Sequence, residues 1–256
     1  MNAAEFTLAR YREVLSAGTS QGYRFVSYPE AKSSPGSGPL CLLRHDCDND
    51  LAAVVRMAQI EKEAGVRSTW FVMLRSAMYN VLCFPARRIV LDLLEGGHWL
   101  GLHFDERVLP SDASHDELRS AIDRERRILE KEFGVEVPVV SFHQPGPRVL
   151  ARELKLDCLN TYEPDDTPGF HYYSDSNLVL REGCPSELLS ERSYQRLHLL
   201  VHPEWWTEAF CEVNEKWQQM LRNGFALAEQ SLADREDAYL VRHTLDVIER
   251  GDILDV

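Results

Sequence analysis

The sequence predicts an α/β fold with a mostly parallel sheet covered by helices, and three observations lead to this class. Short apolar runs alternate with helical patterns along most of the chain, as in parallel strands joined by helical crossovers. Four of these strands are continuous apolar runs, as expected for strands buried on both faces. The length of 256 residues suits one barrel-type domain, although an open, doubly wound sheet satisfies the same pattern.

The first half of the chain alternates regularly between predicted strands and helices. In order, the pattern predicts helix 3–17, strand 23–27, strand 40–44, helix 50–64, strand 68–73, helix 85–95 and strand 99–102. The helix at 50–64 places Leu51, Val54 and Ala58 on one side. Gly65 then ends that helix, as a left-handed glycine at a helix C-terminus does.

The second half begins with a long predicted helix and is less regular afterwards. In order, the pattern predicts helix 114–133, strand 137–142, short helix 149–155, strand-like pieces at 171–173 and 178–180, strand 197–201, and helices 206–222 and 227–249. The turn after the strand at 40–44 reads His45-Asp46-Cys47-Asp48-Asn49 and lacks the glycines of a phosphate-binding loop. A nucleotide-binding fold is therefore disfavoured.

The composition argues against several classes of protein. With 28 basic and 41 acidic residues, the chain carries a formal net charge of −13, which repels nucleic-acid phosphates. No stretch approaches the ~20 apolar residues of a membrane span, and the N-terminal segment lacks an apolar signal-peptide core. The six cysteines are scattered without a CxxC pair, which fits a reducing compartment. We therefore expect a cytoplasmic protein that binds neither nucleic acid nor membrane.

A histidine stands at the C-terminal end of each of four predicted strands, at positions His45, His103, His143 and His202. In parallel α/β folds the loops at this edge of the sheet converge on the active site. A lone histidine of this kind is more often structural, but the same placement repeated four times argues for a shared site. Imidazoles and carboxylates that converge on one cavity are typical ligands of Zn²⁺ or a similar divalent ion.

Asp46 and Asp48 follow the first of these strands. Because they are two residues apart, their side chains point the same way in an extended segment. One of them would bind the metal while the other acts as a base on water activated by the metal. Asp50 is better placed to cap the helix that follows.

Four different short motifs follow one another along the chain. They are Arg44-His45-Asp46-Cys47-Asp48, Gly97-His98-Trp99-Leu100-Gly101-Leu102-His103, Ser141-Phe142-His143-Gln144-Pro145-Gly146 and Leu199-Leu200-Val201-His202-Pro203. The ordered set resembles the polysaccharide deacetylase superfamily, the NodB-like or carbohydrate esterase family 4 proteins. The resemblance covers about residues 40–206 and implies a distorted (β/α) barrel of about seven parallel strands. We interpret residues 1–256 as one such domain, with an N-terminal extension at 1–39 and extra C-terminal helices at 207–256.

The resemblance also implies a hydrolytic deacetylase and roles for particular residues. Carried over, Asp46 would be the base, Asp48 and His103 metal ligands, and His202 the general acid on the leaving amine. The family's second metal histidine lies four residues after the first, where this chain has Arg107, whose guanidinium cannot ligate a metal. Either His143 or Asp105 would then be the third ligand, or the site has lost its metal. We favour His143, which stands where the family usually has an arginine.

The chain is most similar to a divergent branch of this superfamily that is associated with surface-polysaccharide gene clusters. The similarity includes Ser174-Asp175-Ser176 and His202-Pro203-Glu204-Trp205-Trp206. Trp205 and Trp206 would form an aromatic platform for a sugar ring, although such residues are as often core packing. Asp175 would bind a substrate hydroxyl or simply end a strand, and His45 and Asp105 complete the expected substrate-binding residues.

These residues favour a metal-dependent hydrolase, with Zn²⁺ as the expected ion, that removes an N-acyl group such as acetyl from an amino sugar or related small molecule. One alternative keeps the barrel and the metal but performs deformylation or another C–N hydrolysis. A second alternative is a non-catalytic sugar-binding or assembly protein that lost its metal because of Arg107. A Ser-His-Asp hydrolase is disfavoured because no Gly-x-Ser-x-Gly elbow is present.

Overall fold

Parallel strands form one curled sheet in the computed structural model, which describes residues 6–33, 38–234 and 236. The strands are β1 (Arg24–Phe25), β2 (Leu40–Cys47), β3 (Thr69–Val72), β4 (Trp99–Asp105), β5 (Val139–His143), β6 (Leu159–Asn160), β7 (His171–Ser174) and β8 (Arg196–Val201). The helices are α1 (Leu8–Ser20), α2 (Tyr28–Ser33), α3 (Leu51–Ala64), α4 (Ala86–Glu95), α5 (His115–Phe133), α6 (Pro147–Leu150), α7 (Pro185–Ser190) and α8 (Val213–Ala233).

The order of the strands brings the ends of distant segments together. It runs β6-β5-β4-β3-β2-β8-β7, with the short β1 beside the first two residues of β2. Strand β2, the first strong strand, thus lies between β3 and β8, the last strand. Seven parallel strands in this order make a curled half-barrel with flanking helices, which confirms the predicted distorted (β/α) barrel.

Strand β2 is buried along its whole length and separates two environments. Leu40 and Leu42 point into the barrel, where they pack with Phe71 and Val139. Cys41 and Leu43 point outward and belong to the larger core beneath the helices. Because side chains alternate along a strand, Arg44 and Asp46 continue the inner row and His45 continues the outer row.

Local sequence signals fix the ends of the two longest helices before α8. The Asp50 carboxylate accepts hydrogen bonds from the backbone N–H groups of Ala52 and Ala53, which confirms it as the cap of α3. Gly65 ends this helix with φ of 66°, the left-handed conformation that glycine adopts without strain. Ser114 and Glu117 form a reciprocal capping box at the start of α5, and Gly134 ends that helix.

The structure corrects the sequence predictions in the irregular part of the chain. The piece at 178–180 is not a strand: a 3₁₀ turn at Ser176–Leu178 occupies its start. The predicted helix at 206–222 begins later, at Val213, because a 3₁₀ turn at Pro203–Trp205 leads into extended backbone at Thr207, which pairs with Thr7. Helix α8 continues without a break to Ala233, joining two predicted helices, and the remainder of 227–249 beyond residue 236 lies outside the described residues. No helix in the described ranges is long and apolar enough to cross a bilayer.

Candidate metal centre

The carboxyl ends of the strands surround a cavity of about 810 Å³. Its walls include the five residues to which the sequence analysis gives catalytic or metal-binding roles, namely Asp46, Asp48, His103, His143 and His202. These residues come from β2, β4, β5 and β8 and the turns that follow. The sheet order therefore brings together residues that are up to 156 positions apart in the chain, at the edge where parallel α/β folds bind their ligands.

Asp48, His103 and His143 form one cluster of potential ligand atoms, all within 4.8 Å of one another. His103 Nε2 lies 2.8 Å from Asp48 Oδ1, and His143 Nδ1 lies 3.2 Å from Asp48 Oδ2. Two imidazole nitrogens and a carboxylate oxygen beside the cavity could hold a divalent metal ion and leave a position open to a ligand in the cavity.

The hydrogen bonding of this cluster fits a divalent cation. Despite the short contact with His103, Asp48 Oδ1 is buried and has no hydrogen-bond partner among the described residues. Ser141 Oγ lies 2.7 Å from His103 Nδ1, so a hydrogen bond there orients the ring and leaves Nε2 for the cavity. Burial alone would raise the pKa of Asp48, but His103 and His143 lower it far below its usual range. The carboxylate is thus ionised and ready to bind a cation.

The cluster includes His143 rather than Asp105, the other candidate for the third ligand. Both Asp105 oxygens are engaged by the Arg107 guanidinium, at 2.9 Å from Nε to Oδ1 and 2.7 Å from Nη2 to Oδ2. Burial acts to raise the pKa of Asp105, but the bonds from Arg107 outweigh it and lower the pKa. Arg107 itself lies at the rim of the cavity with 64% of its side chain exposed. The pair therefore stands beside the metal cluster rather than in it.

Asp46 lies deeper in the same cavity and is held by Arg44. The guanidinium donates from Nε to Oδ1 at 2.7 Å and from Nη2 to Oδ2 at 2.6 Å, and both side chains are almost fully buried. Burial would raise the pKa of Asp46, but the Arg44 charge lowers it below its usual range. Asp46 is therefore an ionised proton acceptor with a fixed orientation.

His202 and Asp175, which follow the neighbouring strands β8 and β7, form a buried pair. His202 Nδ1 lies 2.6 Å from Asp175 Oδ1, and the backbone N–H of His202 also donates to this carboxylate. Trp206 Nε1 donates to the other oxygen, Oδ2, at 2.9 Å. Burial acts to lower the pKa of His202, but the Asp175 carboxylate outweighs it and raises this pKa to about 10. His202 thus carries a proton at neutral pH and presents its other nitrogen, Nε2, as a donor.

The remaining predicted substrate residues lie in different environments. His45 is fully buried on the outer side of β2, where Nε2 lies 2.6 Å from Glu61 Oε1, so the predicted substrate contact is wrong for this residue. Asp175 is 1% exposed and bound to His202, so it orients that histidine rather than binding a hydroxyl.

The two predicted platform tryptophans also lie in different environments. Trp206 is 1% exposed and packs edge-on against Tyr11 and Phe6, so it is a core residue and not part of a sugar platform. Trp205 does line the cavity, and its ring meets that of Trp217 at 5.2 Å. Trp217, with 46% of its surface exposed at the cavity wall, is the aromatic residue that the sequence analysis missed.

Three further polar residues around the site, Arg44, Ser141 and Glu204, stand in the sequence motifs, but no role was predicted for them. Arg44 was detectable, since it is two residues before Asp46 in the same strand and so shares its face. Ser141 was not, because its contact with His103 depends on the register between β4 and β5. Glu204 is buried with Oε2 lacking a partner among the described residues, and burial together with the Asp48 charge raises its pKa well above the usual range.

Comparisons with known proteins give distant structural likenesses. No family model matches the chain, and no curated protein matches it. Among solved structures, the Streptococcus pyogenes deacetylase PplD is 15% identical with a TM-score of 0.47, over 70% of this chain and 84% of that one. The peptidoglycan deacetylase PdaC from Bacillus subtilis is 16% identical with a TM-score of 0.45, over 80% and 97%.

A CE4 family pseudoenzyme from Bacillus anthracis is 14% identical with a TM-score of 0.47, over 74% of this chain. This chain spans 62% of the pseudoenzyme's length. A mutant of the pseudoenzyme with restored enzymatic activity is matched over 64% of its length, at 15% identity and a TM-score of 0.46. CE4 is carbohydrate esterase family 4, whose motifs this sequence resembles.

Proposed function

We propose that this protein is a divalent-metal-dependent amide hydrolase of the polysaccharide deacetylase superfamily, which removes an N-acetyl group from an amino sugar. One observation carries the proposal: three kinds of group meet at a single cavity. They are the ligand cluster of Asp48, His103 and His143, the proton acceptor Asp46, and the proton donor His202. Amide hydrolysis requires an activated water, a base and an acid, and this set supplies residues for each.

The metal would be held by Asp48, His103 and His143, with Zn²⁺ the ion that best fits two imidazoles and one carboxylate. When bound there, a divalent ion supplies Lewis-acid polarisation of a water and of the amide carbonyl. Asp46 accepts the proton of the attacking water, and Arg44 keeps its carboxylate ionised and aimed at the cavity. Ser141 holds His103 in its ligating orientation.

His202 then protonates the departing nitrogen. Amide cleavage needs this step because an unprotonated amine is a poor leaving group. The Asp175 carboxylate fixes the ring through Nδ1 and stabilises the charged form, so the proton for the leaving group resides on Nε2. Asp175 is itself held by Trp206, which ties the acid to the core of the fold.

An amino sugar suits the rest of the cavity. Its volume of about 810 Å³ is in the range of small-molecule sites, and Trp205 and Trp217 offer apolar faces to the C–H surface of a ring. The six cysteines are all free, which supports a reducing compartment and hence our proposal of a cytoplasmic, small or soluble substrate.

The proposal is tested by assaying amide hydrolysis in the purified protein after chelation and after reloading with Zn²⁺. The panel consists of N-acetyl-D-glucosamine, its UDP conjugate and chitotetraose, each also in N-formylated form, with release of the free amine as the readout. We expect activity only after reloading, higher on acetyl than on formyl substrates. Asp48→Ala should lower kcat/KM by about a thousandfold or more, because it removes one of the ligands that hold the ion.

Asp92→Ala is the matched control, since Asp92 is an exposed aspartate on helix α4 whose partner is the surface residue Arg88. This variant should keep wild-type activity. Equal activity in the Asp48→Ala variant and the wild type, or no hydrolysis of any panel member by the reloaded wild type, would contradict the proposed function.

A further inference from the structure

Three residues other than glycine in the cavity wall adopt a left-handed backbone. They are Gln144 with φ of 48°, Asn177 with φ of 61° and Leu178 with φ of 56°. Arg152 and Arg192 also have positive φ in the described part of the chain, and neither lines the cavity. Left-handed residues with a Cβ are unfavourable and concentrate at functional sites, where the surrounding structure holds them.

Gln144 is the more restrained of the two amide residues. It follows the ligand His143 and precedes Pro145, which further limits the conformations of its backbone. The loop is fixed just beyond, where the backbone N–H of Gly146 donates to Glu106 Oε1 at 2.7 Å. The Gln144 side chain is exposed to the cavity and makes no hydrogen bond to another residue in the described ranges. Its amide therefore has no structural role that explains the strained backbone.

Asn177 lines the same cavity two residues after Asp175, beyond β7, and four strands separate β7 from β5 in the sheet. Two hydrogen bonds hold its turn. The backbone N–H of Ser176 donates to Ser174 Oγ at 2.9 Å, and that of Leu178 donates to the Asp175 carbonyl oxygen at 3.0 Å. Asparagine tolerates the left-handed region partly because its side chain can bond to nearby backbone. Here the exposed Asn177 side chain bonds to no other residue that the structure describes. Local hydrogen bonding therefore does not explain this asparagine.

Leu178 differs from both, because its half-buried side chain packs against the main hydrophobic core. Packing accounts for a leucine there. At 144 and 177, by contrast, glycine would adopt the same backbone at lower cost. What Gln144 and Asn177 offer and glycine lacks is the amide side chain.

We propose that Gln144 and Asn177 are specificity-determining residues whose amides bind the substrate on the two sides of the metal cluster. This inference rests on the proposed function. An amide both donates and accepts hydrogen bonds, and it carries no charge. The pair therefore fits the hydroxyl and N-acyl groups of a neutral, polyhydroxylated ring, and it selects against apolar amides of the same size.

Glycine substitutions separate this role from a purely structural one. Gln144→Gly and Asn177→Gly retain the left-handed backbone but remove the amides, and Arg152→Gly is the matched control outside the cavity. We expect Tm in all three to stay unchanged or to rise by up to about 4 °C, because backbone strain is relieved. We expect kcat/KM on the N-acetylated panel substrate that the wild type hydrolyses best to fall about tenfold in each cavity variant, chiefly because KM rises. The same kcat/KM should be unchanged in Arg152→Gly.

The isosteric variants Gln144→Glu and Asn177→Asp control for a change in loop conformation, since they keep the shape of the side chain while they replace the neutral amide, with its N–H donors, by a charged carboxylate. They should show the same rise in KM. An active wild type whose glycine and isosteric variants all keep kcat/KM within about twofold would overturn this inference alone. A wild type inactive on every panel member would contradict the proposed function, and the inference would fall with it.

Discussion

The two faces of strand β2 carry similar residues, but those on one face border a cavity and those on the other are buried against a helix. On the inner side, Asp46 and, just beyond the strand, Asp48 face an open cavity together with His103. On the outer side, His45 lies against Glu61 of helix α3 with both side chains fully buried. Each face thus joins a histidine to a carboxylate, yet only the inner one borders space for a ligand.

The hydrogen bonds explain the difference. Glu61 Oε1 accepts from the Tyr11 hydroxyl at 2.5 Å and lies 2.6 Å from His45 Nε2, while Oε2 accepts from Ser68 Oγ at 2.5 Å. Burial would raise the pKa of Glu61, but His45 and the donors around it lower the pKa. Trp70 stacks on the His45 ring at 3.9 Å and closes the network. On the inner face, Asp48 Oδ1 lies 2.8 Å from His103 Nε2 but accepts no hydrogen bond from the described residues.

The outer pair is therefore a structural element, because both oxygens of Glu61 accept hydrogen bonds from the protein and both side chains are fully buried, although His45 Nδ1 has no partner among the described residues. The inner group is a candidate site because the carboxylate with the unpartnered oxygen, Asp48, lines a cavity. The outer network joins α1, β2 and α3, and so it fixes the strand on which the inner residues stand. Three variants test this division, in order of decreasing expected effect.

Glu61→Ala should have the largest effect, and it should be on stability. Removing the carboxylate leaves His45, Tyr11 and Ser68 without their shared acceptor in a closed environment. We expect the free energy of unfolding to fall by about 3–5 kcal/mol, while the folded protein still binds one Zn²⁺. Denaturant unfolding measures the change, and Glu63→Ala, an exposed glutamate on the same helix, is the control. Loss of zinc binding in folded Glu61→Ala protein would show that the two faces are not separable.

Asp175→Asn should have an intermediate effect, seen in the pH profile. The Asp175 carboxylate raises the pKa of His202 to about 10, so removing its charge lowers the pKa and deprotonates the acid at lower pH. The alkaline limb of kcat should move to lower pH, with kcat near neutrality reduced about ten- to a hundredfold. An unchanged alkaline limb would indicate that His202 is not the acid.

The same pair should contribute to stability with a defined sign. Because the folded-state pKa of His202 is raised to about 10, its contribution is complete below the unfolded value of about 6.5 and is lost as pH rises toward 10. The Asp175→Asn variant should therefore approach wild-type stability at the alkaline end of this range.

Arg107→Ala should have the smallest effect. The guanidinium bonds to Asp105 at the exposed rim and is not part of the ligand cluster. We expect the Kd for Zn²⁺ to change by less than about threefold and the free energy of unfolding by less than about 1 kcal/mol. A zinc affinity raised tenfold or more would mean that Asp105, once released, enters the coordination shell.

The part of the site that could be predicted depends on the periodicity of the strands. Histidines at strand ends are readable because each follows an apolar run, and parallel topology places those ends at one edge. The face of each residue is harder to read. His45 and Asp46 are adjacent, so they point to opposite sides of the strand, although the motif predicts a place in the cavity for both.

What could not be predicted depends on long-range packing. Glu61 reaches His45 across 16 residues from a helix face that looks ordinary in sequence. The start of α8 at Val213, and hence the position of Trp217, follows from the 3₁₀ turn after His202 rather than from local helical pattern. The start of the strand expected at 178–180 is replaced by a turn in which Asn177 and Leu178 are left-handed, which propensity alone does not anticipate.

The most direct test of the metal centre is calorimetric titration of Zn²⁺ into the metal-free wild type, His143→Ala and His115→Ala. His115, an exposed residue at the start of helix α5, is the matched control. We expect one tight site per chain in the wild type and in His115→Ala, and binding weakened about a hundredfold or more in His143→Ala. Equal zinc affinity in His143→Ala and the wild type, or no zinc binding by the wild type, would contradict a metal centre built from Asp48, His103 and His143.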